Sequence, residues 1–98
     1  MTLGVPNRLT QRSLELAKEG KFAEAIAEQK RALEINPRSE PAMYALAQRY
    51  AQAGDFTSAL VPLGEAIKRQ PNIWPPQAAA DPIFAKMKDL AEFKKLIQ

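Results

Sequence analysis

Apolar residues recur along the chain at spacings of three and four, the period of a helix that buries one face. Leu9, Ser13, Leu16 and Ala17 form the first such stripe and predict a helix over residues 7–19, with Asn7 as its N-cap. Phe22, Ala25, Ile26, Gln29, Ala32 and Leu33 mark a second over residues 22–35. Met43, Leu46, Ala47, Tyr50 and Ala51 mark a third, entered at Pro41 and running to about residue 53. Phe56, Ala59, Leu60, Leu63, Ala66 and Ile67 mark a fourth, over about residues 56–69. Gly20 and Gly54 follow the first and third stripes, where a left-handed residue closes a helix. Pro37 and Pro71 stop the second and fourth. Pro62 lies inside the fourth stripe and cannot donate to the carbonyl of Ser58. A kink, or a helix that begins only near Pro62, is the expectation, tolerated on an outer surface. No stretch reads as a strand.

The tail has its own punctuation. Asp81 reads as an N-cap with Pro82 at the first helical position, opening a short helix over residues 82–88. Asp89 and Glu92 read as a carboxylate capping box for a last helix over residues 90–97, which buries Leu90, Phe93, Leu96 and Ile97. Trp74, between Pro71 and Pro75, is expected to fold over the exposed end of the unit formed by the third and fourth stripes.

The second and fourth stripes are copies. Gly20, Phe22, Ala25, Ala32 and Pro37 return as Gly54, Phe56, Ala59, Ala66 and Pro71, at one offset of 34 residues. A fixed offset of this size is the signature of a repeat architecture, in which each unit buries its face against the next.

Composition then removes classes of chemistry. The 98 residues suit one small domain. There is no cysteine and no histidine, so thiolate chemistry, disulfides, imidazole bases and imidazole metal ligands are all excluded. The net charge is +3, with the 14 cations spread over the chain, and this reads as a solvated surface. No apolar run approaches the ~20 residues of a bilayer span, and the N-terminal residues lack the features of a signal peptide. A cytoplasmic location without membrane contact is expected. Glu15/Glu19 and Glu24/Glu28 are one-turn carboxylate pairs, which read as solvated helix faces. No enzyme, cofactor or metal site is expected.

Paired helices at this period resemble the tetratricopeptide repeat. Met43, Leu46, Ala47, Tyr50, Gly54, Phe56, Ala59, Leu63, Ala66 and Pro71 match its pattern through the second repeat. The first repeat matches in its second half and departs at Arg12 and Gln29, where apolar residues are usual. Both departures are expected to give a terminal repeat its polar outer face. The resemblance implies an all-α fold, a right-handed α-α superhelix (solenoid) of helix-turn-helix repeats. Its division would be an arm over residues 1–6, repeats over 7–39 and 40–73, and a degenerate third repeat with capping helices over 74–98.

The resemblance also implies a function: a non-enzymatic adapter or scaffold that holds a partner peptide or helix in a concave groove lined by the first helix of each pair. The groove residues would be Asn7, Thr10, Gln11, Leu14 and Lys18 from the first helix, and Tyr44, Gln48 and Gln52, with Ala45, from the third. Tyr44 and Leu14 would anchor the partner, and the glutamines would bond its backbone. The full lysine, arginine and asparagine clamp that holds chaperone C-termini in part of this family is absent, with Asn7 and Lys18 the only partial matches. Two alternatives stand beside this reading. One is self-assembly into a homo-oligomer through open repeat ends or Trp74. The other, weaker, is nucleic-acid binding by Arg8, Arg12, Lys18 and Arg49, which the scarcity of aromatic residues for base stacking counts against.

Overall fold

A computed structural model describes the backbone of residues 4–98 and the side chains of residues 8–98. Every element among them is helical: α1 (Gly4–Lys18), α2 (Phe22–Ile35), α3 (Glu40–Gln52), α4 (Phe56–Arg69), α5 (Trp74–Ala80), a 3-10 helix (Pro82–Met87) and α6 (Ala91–Ile97).

The two glycine turns are built alike. Gly20 and Gly54 adopt φ of 80° and 85°, the left-handed region that a side chain would strain. The residue after each glycine donates back to the last turn of its helix, Lys21 N to Leu16 O at 2.9 Å and Asp55 N to Tyr50 O at 3.0 Å. These are Schellman closures, and they fold α2 back on α1 and α4 back on α3. The connection between the pairs is capped by Ser39, whose hydroxyl accepts from Ala42 N at 3.2 Å, with Pro41 in the first turn of α3.

Two helix starts and the setting of Pro62 differ from expectation. Helix α1 begins at Gly4, about a turn before Asn7, so Asn7 is inside the helix and does not cap it. Pro6 permits this, because the first-turn N–H groups have no partner within a helix anyway. Helix α4 starts at Phe56 as expected, capped by Asp55 Oδ1 accepting from Ser58 N, and runs unbroken through Pro62, which is largely buried in the wall of a cleft rather than standing on an open surface. Helix α6 begins at Ala91 with Leu90 as an extended N-cap and no side-chain cap bond, so the Asp89–Glu92 box does not form. Leu90 N instead donates to Met87 O at 3.0 Å, which draws the chain into the end of the 3-10 helix.

Helix α3 is the hub. It packs on α1, α2 and α4 and also on the 3-10 helix. Its burial therefore extends past the expected stripe, from Ala42 continuously through Ala47 and again at Arg49 and Ala51. The core is lopsided. A small cluster of Leu16, Ala17 and Ala25 with Phe22 holds the first pair. The main cluster joins Tyr44, Ala47, Ala59 and Leu63 to Ala78, Phe84, Met87 and Phe93 of the tail. Gly64 leaves α4 smooth beside Leu96; a Cβ there would stand 3.6 Å from Leu96 Cδ2.

Arg12 and Gln29 have different fates. Arg12 is exposed and pairs with Glu28 across α1 and α2 at 3.6 Å, which suits a polar outer face. Gln29 is fully buried, so it is not part of that face. Its Nε2 donates to Thr10 Oγ1 at 3.2 Å and to the Ala42 carbonyl at 3.3 Å, tying α1, α2 and α3 together. Its Oε1 has no partner. Gln29→Ala is expected to cost about 2 kcal/mol through the cavity and the lost bonds. Gln29→Leu fills the volume and removes the unpaired oxygen, and urea unfolding should show less than half that loss.

Candidate functional site

The expected groove row of α3 is Tyr44, Gln48 and Gln52, one turn apart in succession. In the structure this row carries a polar and aromatic network with the tail as its second wall. Tyr44 is only 5% exposed. Its ring stacks on Trp74 with centroids 4.9 Å apart and meets the edge of Phe84 at 5.6 Å. Its hydroxyl donates to Asp81 Oδ2 at 2.7 Å. Gln48 Nε2 donates to the same oxygen at 2.8 Å. The other oxygen, Oδ1, accepts from Ile83 N at 2.9 Å and so caps the 3-10 helix. Asp81 thus fulfils its expected role as a cap and, with the oxygen that capping leaves over, fastens the tail to α3.

Tyr44 therefore faces the chain's own tail where a partner was expected. Trp74 lies over α3 as well, half-buried, with its Nε1 buried and unpartnered. The sequence held one signal for this arrangement: a cap carboxylate uses one oxygen and leaves the second for a donor.

The rest of the groove set is divided. Gln11 and Lys18 are exposed and Leu14 is half-buried on α1. Thr10 is half-buried and engaged by Gln29. The side chain of Asn7 lies outside the described residues. Gln48 and Gln52 are half-buried, while Ala45 is buried. Arg49, which sequence reasoning placed only in a basic strip, is 3% exposed. Its Nη1 donates to Gln52 Oε1 at 2.6 Å, and its Nε is buried without a partner. The strip of Arg8, Arg12, Lys18 and Arg49 is thus short of one member at the surface.

Two groups here feel their burial. Desolvation, then the hydrogen bond to Asp81 and its negative charge, hold the Tyr44 hydroxyl well above the ordinary tyrosine range. Burial pulls the Arg49 guanidinium below its usual value, opposed by the charge of Asp81. The Tyr44 shift has a sign that can be checked. Unfolded tyrosine ionises near about pH 10, so above that pH the unfolded chain sheds a proton that folded Tyr44 keeps. Stability should fall there by up to about 1.4 kcal/mol per pH unit. In urea melts across alkaline pH, Tyr44→Phe should flatten that decline.

A second concavity lies on the opposite side of α3. Leu33 and Pro37 of the first pair face Val61, Pro62, Glu65 and Arg69 of α4 across a cleft of about 540 Å³ floored by Met43, Leu46 and Tyr50. Val61 is 69% exposed at its rim. Among the described residues no cluster of His, Cys, Asp or Glu could hold a metal ion. No described helix is long and apolar enough to cross a membrane.

A family model for the tetratricopeptide repeat matches residues 16–80, from the end of α1 through α5. The chain belongs to the tetratricopeptide repeat family. Comparisons with curated proteins and with solved structures returned no match. Tetratricopeptide repeats generally mediate protein–protein interactions and are typically non-enzymatic. Within that family pattern, the two glycine turns close the helix pairs, and α3 is the hub on which they pack.

Proposed function

We propose that this tetratricopeptide repeat protein is a non-enzymatic adapter whose α1 and α3 helices offer a concave face to a peptide segment of a partner protein. The repeat units are taken as residues 7–39 and 40–73, with residues 74–98 closing the stack. The observation that carries this reading is the row of accessible side chains over a rigid floor. Leu14, Gln11 and Lys18 rise from α1, and Gln48 and Gln52 rise from a helix otherwise buried nearly all round. Rigid elements presenting few polar groups and an apolar anchor are what a specific peptide site requires. Tyr44 contributes as a wall of the site, held by Trp74 and Asp81, rather than as a free anchor.

The test uses accessible positions, because Tyr44 is structural. Leu14→Glu with Gln52→Leu should reduce recovery of co-purifying proteins from native lysate at least tenfold, with the helical circular dichroism unchanged. Unchanged recovery of the same proteins would reject the assignment of the groove.

The exposed Val61 and its cleft favour a second reading, self-assembly through the outer side of the repeats. A dimer that dissociates on dilution in sedimentation runs, and that Val61→Asp abolishes, would support it.

A further inference from the structure

The cleft on the outer side of α3 has a physical origin. Helices α2 and α4 each pack on α3 and scarcely on one another. The space left between them, about 540 Å³, stays open over Met43, Leu46 and Tyr50. That is the size of a small-molecule site, and such sites are walled mainly by apolar side chains with a few placed polar groups. Residues 58–69 of α4 run along one side, about 16 Å of helix axis, so the space is a trough rather than a round pit.

Polar groups stand at its two ends. At one end are the hydroxyl and the carbonyl of Ser58, the carbonyl left by Pro62 without its helical donor. At the other end is Arg69. Arg69 has no ion-pair partner among the described residues, whereas Glu65, a turn before it, is engaged by Lys68 at 4.0 Å. On the α2 side, Lys30 and Glu34 line an adjoining hollow, and the Lys30 ammonium stands 5.8 Å from the centre of the Tyr50 ring. Lys30, Lys68 and Arg69 against Glu34 and Glu65 leave the surroundings positive on balance. A long apolar trough with one unpaired cation at its end suits a chain with one anionic head.

We infer that this cleft binds an alkyl carboxylate, its chain lying on Leu33, Leu46 and Pro62 between α2 and α4 and its carboxylate paired with Arg69. The site lies away from the α1–α3 face and does not depend on the peptide groove. A ligand there and a second copy of the chain would compete for the surface around Val61.

Sodium hexanoate, octanoate, decanoate and dodecanoate, each below its micelle-forming concentration, are titrated by calorimetry into the chain. One saturable site is expected, tightening about fourfold for each methylene buried until the alkyl chain reaches the polar Ser58 end. Decyltrimethylammonium, with the same chain and the opposite head, should bind at least tenfold more weakly than decanoate. Arg69→Glu should reverse that order and leave uncharged decanol within about twofold. Val61→Asp should weaken decanoate at least tenfold, and Leu14→Glu, on the other face, should leave it unchanged. Arg69 and Val61 are both exposed, so circular dichroism should show the fold kept; the comparison of heads on the unaltered chain stands in any case. Equal binding of the two heads, several weak sites per chain or no saturable binding overturns the proposal. So does an order of heads that Arg69→Glu fails to reverse, loss of decanoate on Leu14→Glu, or a dimer in sedimentation runs that decanoate cannot displace.

Discussion

Phe84→Ala should cost about 3–5 kcal/mol, the range for deleting a fully buried aromatic ring. Phe84 has no exposed surface and stands between Tyr44 of α3 and Phe93 of α6, with ring centroids at 5.6 and 5.8 Å. Phe84, Phe93 and Met87 are among the largest fully buried side chains, and all come from the tail. The loss is therefore large against the 5–15 kcal/mol that holds an ordinary domain together. Urea unfolding followed by circular dichroism should show a clear fall in midpoint, with Phe84→Leu losing roughly a third as much. A tail that merely lay on a self-sufficient pair of repeats would leave the main transition unmoved.

Asp81→Ala should be the largest polar effect, about 3 kcal/mol. One carboxylate accepts from the Tyr44 hydroxyl, from Gln48 Nε2 and from Ile83 N. Bonds to an ionised group contribute about 1.5–3 kcal/mol each without adding fully, and a lost cap costs about 1 kcal/mol. The greater damage is the buried Tyr44 hydroxyl left without an acceptor. Asp81→Asn keeps an oxygen for the cap or for the tyrosine but not for all three donors, so it should lose about half as much. A double-mutant cycle with Tyr44→Phe checks the mechanism. The two losses should overlap by more than 1 kcal/mol in roughly the range seen for directly bonded partners, and independent losses would show that the bond contributes little.

The scaffold was legible because its signals are local. Each helix stripe, each left-handed glycine and each stopping proline acts within a turn or two of itself, and the glycine turns and the bounds of α2 and α4 formed as read. Asp81 as a cap belongs to the same class. The misreadings at the candidate site involve α3 or contacts that reach it across the chain. A helical period shows one buried face, but α3 is covered on a second face by a tail many turns later, so Tyr44 looked free when it is walled in by Trp74, Phe84 and Asp81. Gln29 looked like part of a polar outer face because its partners, Thr10 and the Ala42 carbonyl, belong to neighbouring helices. Arg49 looked like a surface cation because charge alone does not reveal a neighbour such as Gln52. The Asp89–Glu92 box failed because the 3-10 helix before it set where α6 could begin.

The most direct test of the account places a photo-crosslinking amino acid at Leu14, on the α1–α3 face, or at Val61, on the outer cleft, and irradiates the chain in native lysate. A discrete partner band is expected from the Leu14 position, lost when Gln48 and Gln52 are both replaced by leucine, and no comparable band from Val61. A partner captured from Val61 alone, or one captured at Leu14 regardless of the two glutamines, would contradict it.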